Sequence, residues 1–578
     1  MIATPFATSS FERYAPDMRV VLALLVFSSI ATSSTTHAAI TPSGCPGDPI
    51  TPTEVIEGSF PSSLEGAYVM VPFTVPSGTT QVRVKYCWDE PDSGSLRHTI
   101  DLGLWDARPA GETWGRKQFR GWGGSSHPDV AITRQGFSSE ADYGASPRGH
   151  VPGRTQRGFV PGKIPAGEWA AELGIAAVIT PAEGDADGRV RWRVEIALSN
   201  DRAFAAKRYR PKRYNRRPAA RRAGWYAGDL HVHAEHSSQN DATMREVFDY
   251  AFRSIAAHGA GLDFITLSDY VTTSHWGEIG RYQKDHRGKL IVRSAEVITY
   301  RGHTNNHASA HWVDHRTGPV YERAADGSLT LVRPPRPPRE IFAEVRENGG
   351  FTQINHPTIF PPTTPGFARL CRGCAWIYSP EETDFSLVDA IEIQTGPAIV
   401  GTVVNPFTTT AIAFYEQALA AGHHIAAVGV SDSHTAGRTD DIFGSPIGDA
   451  TTVVYARRLS ERGIRDAVQA GHTYVKLLGN DGPDLRLEAA TPKGRPAIMG
   501  DTVQGGSAEM TAEVLNVAPD GDGFALHVVK DGVAIEAVPV TPPSLTHHFT
   551  ANGPGRYRLE LRRHDVEVWA LTTPIWVE

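Results

Sequence analysis

The chain has 578 residues, which at about 150 residues per domain corresponds to three or four domains. Hydrophobic residues make up 40% and charged residues 21%, a globular composition that excludes a chain disordered throughout. The 56 glycines and 41 prolines favour turns and loops over a helical bundle, and the net charge of −7 gives no indication of nucleic-acid binding.

The N-terminus has the pattern of a secretory signal. Arg19 precedes a short apolar run that ends at Phe27, and small and polar residues follow. This order is typical of a cleaved export signal, which we predict over residues 1–39. No segment reaches the roughly 20 apolar residues that cross a bilayer, so we expect no membrane span and a periplasmic or secreted protein. The sequence leaves open whether translation starts at Met1 or Met18.

Four cysteines follow the predicted signal. An even count in an oxidising compartment favours disulfides. We expect Cys45 to pair with Cys87, and Cys371 to pair with Cys374 within a C-x-x-C loop. A redox motif or half of a zinc site is the alternative for the C-x-x-C, but no second C-x-x-C completes an all-cysteine zinc site.

Residues 40–206 are predicted to form an N-terminal β-sandwich. Runs such as Gln81–Tyr86 and Val190–Ile196 alternate with a period of two, and turns rich in glycine and proline separate them. Residues 207–222 then contain nine Lys or Arg residues in sixteen positions. A nucleic-acid or anionic-surface tract is one interpretation, but a solvated linker is the commoner source of such a run. We therefore predict a basic linker and no nucleic-acid partner.

Residues 223–478 change to alternating strands and helices. Buried strands are predicted at Asp263–Leu267, Leu290–Val292, Ala390–Ile393 and Ala426–Val430. Helices are predicted from Thr243 to Gly259, and at Glu340–Asn348, Ala411–Ala421 and Glu461–Ala470. Repeated β–α units over about 250 residues indicate a parallel sheet closed as a barrel. Period-two runs return in residues 479–578, which predicts a C-terminal β-sandwich.

Histidines and carboxylates follow several of these strands where they end. His231 and His233 end one strand, and Asp432 and His434 end another; in both pairs the spacing of two directs the side chains to one face. The other residues at strand ends are Asp269, Glu296, His303 and His356. In a barrel, the carboxyl ends of the strands meet at one mouth, so these side chains can converge.

This set predicts a metal site. Neutral imidazole and carboxylate suit zinc, manganese or iron, and one ion takes about four ligands. The seven or eight candidates exceed the needs of one ion, so two or more ions are implied, with a carboxylate able to bridge them. Single H-x-H or D-x-H pairs are usually surface or core features. The spacing of His303, His307, His311 and His315 also fits a helical stripe, and His423-His424 fits capping or packing.

The strings GDLHVH, LDFITLSD, SAEVITYRGHTN, INHP and AVGVSDSH resemble the PHP (polymerase and histidinol phosphatase) family of metallohydrolases, in order and spacing, over about residues 224–478. The flanking strings DLGLWD, FRGWGG, PAGEWAAELG and TTPIWV resemble its exported branch, which includes carbaryl-hydrolase-like (CehA/McbA) proteins. The resemblance implies a distorted (β/α)7 barrel between two β-sandwiches. It also implies hydrolysis of a small-molecule phosphoester, or of a carbamate or carboxylic ester.

The resemblance also implies a ligand set. It assigns the first ion to His231, His233, Glu296 and Asp432, and the second to Glu296, His303 and His356, with Glu296 bridging. His434 would belong to a third site, where Tyr270 replaces a family histidine and Ser238 replaces a carboxylate. We therefore expect two divalent ions (Zn, Mn or Fe) unless His236, Asp241 or His275 completes a third site. Asp269 is expected beside the ligands and not among them.

A metal-activated water would attack phosphorus or carbonyl carbon. His434 or Tyr270 is the candidate to protonate the leaving group, and Arg438 is the candidate to hold an anionic substrate. One alternative is a surface- or glycan-binding protein with an inactive barrel, although all six ligands of the first two ions are present. Another is a polymerase-associated proofreading module, which the predicted export signal and the lack of a polymerase region disfavour.

Overall fold

The computed structural model describes residues 44–92, 96–140, 153–238, 240–364, 367, 369–401, 403–439, 444–492, 494–519 and 523–578. The predicted signal over residues 1–39 lies outside these ranges. The described chain is a mixed α/β protein, rich in sheet and with few helices. Within the described ranges, no helix combines the length and the apolar character needed to cross a membrane.

Strands dominate all parts of the chain. The N-terminal strands are β1 (Glu54–Pro61), β2 (Tyr68–Val75), β3 (Gln81–Trp88), β4 (Thr99–Trp105), β5 (Phe119–Gly124), β6 (Asp129–Thr133), β7 (Gly167–Ala177) and β8 (Arg189–Ser199). The central strands are β9 (Gly224–Val232), β10 (Phe264–Leu267), β11 (Leu290–Thr299), β12 (Gly302–His307), β13 (Val320–Arg323), β14 (Leu329–Arg333), β15 (Phe351–Ile354), β16 (Ala390–Gln394), β17 (Ile399–Val400), β18 (Val403–Val404), β19 (Ala426–Gly429), β20 (Thr451–Ala456) and β21 (Thr473–Lys476). The C-terminal strands are β22 (Asp484–Ala489), β23 (Ala497–Ile498), β24 (Thr502–Val503), β25 (Ser507–Leu515), β26 (Phe524–Lys530), β27 (Val533–Pro539), β28 (Leu545–Asn552), β29 (Gly555–Arg563), β30 (Glu567–Thr572) and β31 (Ile575–Val577).

The α-helices are all in the central part of the described chain. They are α1 (Met244–Phe252), α2 (Trp276–Tyr282), α3 (Pro338–Glu347), α4 (Pro380–Thr383), α5 (Phe407–Ala420) and α6 (Glu461–Gln469). Four of them overlap the predicted helices, whereas α2 and α4 were not predicted. The predicted extent of α1 is wrong, because the helix ends at Phe252 and Ile255 lies in a separate turn with 43% of its surface exposed.

Two sheets enclose the N-terminal core. One has the order β1-β8-β3-β6 and the other the order β14-β13-β2-β7-β4-β5. Trp88, Trp169 and Trp192 are buried in the core that these sheets share. The hairpin β13–β14 joins this sheet from the middle of the chain, because β13 pairs in parallel with β2. Periodicity alone could not predict this, since it does not say which sheet a strand will join.

The central strands follow the order β19-β16-β15-β12-β11-β10-β9-β20-β21. Pairing is parallel for β9–β10, β10–β11, β15–β16 and β16–β19. The expectation of a parallel sheet is wrong at β12, which is antiparallel to both β11 and β15 because a short turn reverses the chain after Thr299. It is also wrong at β20, which is antiparallel to both β9 and β21. The helical stripe considered for His303 and His307 is also wrong, since both lie on this strand.

The segment after β19 lies beside the segment after β9 near the predicted site. Past the end of β19, the backbone N–H of Asp432 donates to the carbonyl of His231 at 3.0 Å. The N–H of His233 donates in turn to the carbonyl of Ser433 at 2.9 Å. These bonds bring the segment after β19 beside the segment after β9, although about 200 residues separate them in sequence.

The C-terminal strands continue this sheet. β21 pairs with β30, β30 pairs with β29, and β26, β27 and β31 extend the layer. A second sheet, with the order β23-β22-β25-β28, packs against it around a separate core. Both predicted cysteine pairings are present, joining Cys45 to Cys87 and Cys371 to Cys374, and no described cysteine is free.

Candidate metal centre

Six of the predicted ligands converge in one cluster. His231, His233 and Asp432 form the first position, in which one ligand atom of each residue lies within 4.8 Å of the others. His303 and His356 form the second position, and the sulfur of Cys374, which is in a disulfide, lies within 4.8 Å of a ring nitrogen of each. Glu296, in the interior of β11, lies between the two positions.

The first position is compact and buried. The two Nε2 atoms of His231 and His233 are 3.0 Å apart. Asp432 Oδ1 is 3.3 Å from Nε2 of His231 and 3.0 Å from Nε2 of His233. The Asp432 side chain retains 26% exposure, whereas both imidazoles are fully buried, so the position opens on the Asp432 side.

Glu296 contacts both positions with different oxygens. Its Oε2 is 3.5 Å from Nε2 of His231 and 3.5 Å from Nε2 of His233. Its Oε1 is 3.2 Å from Nδ1 of His303 and 3.3 Å from Nε2 of His356. This is the geometry of a carboxylate that can bridge two ions.

Each imidazole donates its outer N–H away from the cluster. His231 Nδ1 lies 2.8 Å from Glu392 Oε1, and His233 Nδ1 lies 2.8 Å from Ser237 Oγ, whose own proton goes to Asp269. In the second position, the outer nitrogens of both histidines meet backbone carbonyl oxygens at 2.9 and 2.8 Å. The inner nitrogens therefore present lone pairs, as metal-ligating histidines do.

The interior of the cluster consequently holds acceptors that face acceptors. Inner imidazole nitrogens lie against the carboxylates of Glu296 and Asp432 at 3.0 to 3.5 Å. Such an arrangement needs a cation between the groups, and imidazole with carboxylate is a donor set that suits zinc, manganese or iron. The residues present therefore fit a divalent metal ion at each position.

The pKa values of the cluster reflect the same arrangement. Burial lowers the pKa of His231, but the charges of Asp432 and Glu296 outweigh it and raise this pKa well above its ordinary value. For His356, burial is likewise outweighed, chiefly by the hydrogen bond to Glu296, and the pKa rises to about 9. Against its own burial, Glu296 has a pKa well below its ordinary range because His231 and the other histidines stabilise the carboxylate. The carboxylates thus stabilise positive charge on His231 and His356, whereas burial lowers the pKa of His233.

Glu392 is a site residue that the sequence analysis missed. It lies on β16, and its carboxylate accepts from His231 Nδ1, Gln353 Nε2, the His356 N–H and Thr395 Oγ1 at 2.6 to 2.8 Å. A signal was present, because Glu392 is a charged residue inside a fully buried five-residue strand. Asn355 was also missed, and it donates to Glu296 Oε1 at 3.0 Å.

Asp269 lies behind the first position. Its Oδ1 accepts from Ser237 Oγ at 2.8 Å, and that hydroxyl is the partner of His233 Nδ1. Its Oδ2 is 3.5 Å from Nδ1 of His275, whose Nε2 contacts two backbone carbonyls. Neither Asp269 nor His275 reaches the inner face of the cluster through these contacts.

His434 and Tyr270 lie on the open side of the cluster. The His434 ring stacks on that of His233, with centroids 4.2 Å apart and an interplanar angle of 4°. Its Nδ1 is 3.0 Å from Asp241 Oδ2, and its Nε2 is 3.1 Å from the Tyr270 hydroxyl. Its Nε2 is 3.8 Å from Asp432 Oδ1. His434 retains 32% side-chain exposure, so this chain of polar groups borders solvent.

The remaining candidates lie apart from the cluster. His236 Nδ1 lies 2.7 Å from Ser274 Oγ, beside His275 and away from the ligands. Arg438 is exposed, and its N–H donates to the carbonyl of Thr435. Among the described contacts, none joins the Arg438 guanidinium to His434 or to a ligand.

Two of the ligands have unusual backbone conformations. Asp432 has φ of 53° and His356 has φ of 28°, in the left-handed region that non-glycine residues rarely adopt. Such conformations cost on the order of 1–3 kcal/mol each and persist where the surrounding structure holds them. Here they direct a carboxylate and an imidazole into the cluster.

Comparison with known proteins adds little. No sequence family and no curated protein matches the chain. One similar structure is a two-domain protein from Bacteroides vulgatus containing a predicted PHP-like metal-dependent phosphoesterase, with 16% identity over 64% of this chain and 99% of that chain and a TM-score of 0.32. Another is a lesion-specific endonuclease from Pyrococcus furiosus, with 16% identity over 47% of this chain and 64% of that chain and a TM-score of 0.26. At such low TM-scores, neither likeness assigns this chain a fold or a function.

Proposed function

We propose that the protein is a metal-dependent hydrolase of the PHP type, with a distorted (β/α)7 barrel between two β-sandwich domains. The observation that carries the proposal is the inner face of the cluster, where four imidazole lone pairs and two carboxylates meet while every outer imidazole N–H has a protein acceptor. In the metal-free chain the raised pKa values of His231 and His356 mean that protons balance the carboxylates of this face, and divalent ions would take the place of those protons.

His231, His233, Asp432 and Glu296 would hold the first ion, and Glu296, His303 and His356 the second. Two such ions would supply a hydroxide nucleophile near neutral pH and would neutralise charge that develops on the attacked group. The shared Glu296 supports this assignment, since one oxygen faces each position. Zinc, manganese and iron all suit these ligands.

Side chains of the protein then protonate the leaving group. We assign the proton transfer to the pair His434 and Tyr270, because the His434 Nε2–Tyr270 hydroxyl bond lies at the solvent side of the first position. Asp241 accepts from His434 Nδ1, which orients the ring and keeps Nε2 directed at the phenol. A proton on Nε2 can pass through the Tyr270 hydroxyl to the leaving oxygen.

The substrate is proposed to be a small phosphoester, or a carbamate or carboxylic ester, that enters on the side of Asp432 and His434. These two ligand-cluster residues keep 26% and 32% of their side-chain surface exposed. Arg438 lies four residues beyond His434 and is exposed, so it is our candidate to attract an anionic group. The predicted signal and two disulfides support export to the periplasm or outside the cell.

Metal analysis combined with a substrate screen tests the proposal. Purified chain, reconstituted separately with zinc, manganese and iron, is analysed for metal and assayed on chromogenic phosphate monoesters, phosphate diesters, carboxylic esters and aryl carbamates. We expect hydrolysis of at least one class that a chelator abolishes and metal restores. A chain that binds no metal would overturn the proposal. Full loading without turnover of any class would favour the alternative of an inactive barrel in a binding protein.

A further inference from the structure

One short loop orients both imidazoles of the second position. The carbonyl of Arg372 lies 2.9 Å from His303 Nε2, and the carbonyl of Cys374 lies 2.8 Å from His356 Nδ1. Both carbonyls belong to the segment Cys371–Cys374, whose ends are joined by a disulfide with a Cα–Cα separation of 5.6 Å. His303 lies on β12 and His356 lies just beyond the end of β15, so the loop is the element that contacts both.

The backbone of this loop packs directly against His303 at Gly373. Gly373 has φ of 83°, and a Cβ placed on it would lie 2.0 Å from the carbonyl oxygen of Thr299 and 3.0 Å from Nε2 of His303. Only glycine fits both the conformation and the space. Just beyond the loop, the N–H of Trp376 donates to the carbonyl of Pro357 at 2.9 Å. The segment is therefore packed along the residues that carry both imidazoles.

The imidazoles of the first position are not oriented by this loop. His231 is held by Glu392 and His233 by Ser237, and both partners are side chains outside the C-x-x-C loop. A change confined to Cys371 and Cys374 should therefore act on one metal position and leave the other intact.

We propose that the Cys371–Cys374 disulfide is a positioning element for the second metal ion, because it holds the Arg372 and Cys374 carbonyls that orient His303 and His356. The proposal rests on the proposed function, in that it presumes metal at both positions. When the disulfide opens, the loop gains conformational freedom and the two carbonyls lose their fixed spacing. Loss of partners of this kind typically lowers metal affinity about 10- to 100-fold.

The other disulfide is a built-in control. Cys45 and Cys87 are 8% and 4% exposed, whereas Cys371 and Cys374 are partly exposed, so mild reduction should open the C-x-x-C first. With a water-soluble phosphine, two electrons pass to the S–S bond, which breaks. Water supplies two protons and an oxygen atom, two thiols form, and the phosphine leaves as its oxide.

Manganese is the probe for the test. Reduced Cys374 would place a thiol within 4.8 Å of the ligand atoms of His303 and His356, and thiolates favour zinc over manganese. Metal-free chain is treated with the phosphine until alkylation and mass mapping of a withdrawn sample show that only Cys371 and Cys374 have been reduced. The phosphine is then removed in the absence of air, and the remaining chain is titrated with Mn²⁺. Calorimetry gives the two affinities, and electron paramagnetic resonance reports spin coupling between adjacent ions.

We expect two ions and a spin-coupled spectrum for the oxidised chain. After reduction, the second affinity should fall about 10- to 100-fold with the first unchanged, and reoxidation should restore both the affinity and the coupling. The double variant Cys371→Ser/Cys374→Ser should behave like reduced wild type whether or not phosphine is added. Gly373→Ala, which keeps both cysteines, should also weaken only the second ion. Cys45→Ser/Cys87→Ser should retain both ions.

Three outcomes would overturn the proposal. They are an unchanged second affinity in the reduced chain and in the serine variant, an equal weakening of both ions, or the same loss in Cys45→Ser/Cys87→Ser. If that last variant does not fold, the selectively reduced wild type decides the question alone. If the chain binds no Mn²⁺ in either redox state, the titrations are repeated with Zn²⁺ and Fe²⁺. A chain that binds none of the three ions would overturn the proposed function itself, and this result is distinct from the other three.

Discussion

The Nδ1 atom of His231 lies 2.8 Å from Oε1 of Glu392, and both side chains are fully buried. This contact links two strands that are not neighbours in the sheet, β9 and β16. It fixes which imidazole nitrogen carries the proton, and so directs the other nitrogen at the metal position. Glu392, which is not among the proposed ligands, thus fixes the tautomer of His231, which is one of them.

Replacing Glu392 with glutamine should weaken metal binding. The carboxylate accepts from four donors, and the amide nitrogen of glutamine would face at least one of them as a second donor. We expect metal affinity to fall about 10- to 100-fold and the free energy of unfolding to fall by about 1–3 kcal/mol. Calorimetric metal titration and chemical denaturation measure the two effects.

Glu560 provides the matched control for this substitution. It is a buried glutamate on β29 that accepts from Arg558 and Arg562, far from the cluster in the C-terminal layer. Glu560→Gln should destabilise the chain without changing metal affinity. Equal metal affinity in Glu392→Gln and wild type would contradict the positioning role of Glu392.

The double variant His231→Ala/His233→Ala should lose activity and most of its bound metal while remaining folded. The two Nε2 atoms are 3.0 Å apart and form most of the first position. Elemental analysis, circular dichroism and the substrate assay measure the three properties. His472→Ala, which removes an imidazole bonded to Asp501 outside the cluster, should change none of them. Undiminished metal with full activity in the double variant would defeat the ligand assignment.

The chain should bind two metal ions and not three. Three residues were considered as further ligands of a third site beside His434. Asp241 accepts a hydrogen bond from Nδ1 of His434. His236 contacts Ser274 instead, and His275 contacts backbone carbonyls. Tyr270 contacts Nε2, but a phenol with an ordinary pKa near 10 is a poor ligand, and burial raises the pKa of Tyr270 further. Close to three metals per chain, with a third anomalous peak beside His434, would refute this count.

Tyr270→Phe separates the catalytic role of the phenol from metal binding. The variant should lower turnover by about 10- to 100-fold, the range for losing one hydrogen bond to a charged group. Metal content should change little, because Tyr270 is not a predicted ligand. A parallel loss of metal and turnover would instead make Tyr270 part of a metal position. Tyr270→His is the converse variant, which should raise the metal content towards three.

Asp101 should give the stability of the chain a distinctive pH dependence. Burial first, and then the charge of Glu172, raises its pKa to about 7, although the Tyr300 hydroxyl donates to it at 2.8 Å. The folded state therefore binds this proton more tightly than the unfolded state does. The resulting stabilisation is complete below about pH 4 and is lost as the pH rises through 7.

Asp101→Asn should remove this dependence. We expect the melting temperature of the variant, relative to wild type, to rise between pH 4 and pH 8, because only the wild type then carries a buried charge. Scanning calorimetry of both chains across this range measures the difference, in which other titrating groups cancel. In a chain that keeps Asp101, Tyr300→Phe should steepen the fall of the melting temperature with rising pH. Parallel curves of melting temperature against pH for wild type and Asp101→Asn would contradict the assignment.

The sequence by itself determined which residues form the inner face of the cluster. The spacing of two in His231-Val232-His233, and the positions of Glu296, His356 and Asp432 relative to predicted strands, gave a set of candidates, and the resemblance to the PHP family selected six of them. The reason is local, since an extended chain fixes which side chains share a face and strand ends meet at a sheet edge. The C-x-x-C pairing was predictable for the same reason, because only two residues lie between its cysteines.

Only the tertiary structure decided which groups accept hydrogen bonds from the outer nitrogens of these imidazoles. The partner of His231 is 161 residues away at Glu392, and the partner of His303 is 69 residues away at Arg372. The antiparallel direction of β12, and the addition of β13 to the N-terminal sheet, likewise depend on contacts between distant segments. Periodicity describes one segment at a time and carries no information on which segments pair. A backbone carbonyl, moreover, is the same group in every residue, so its role as a partner leaves no mark on the sequence.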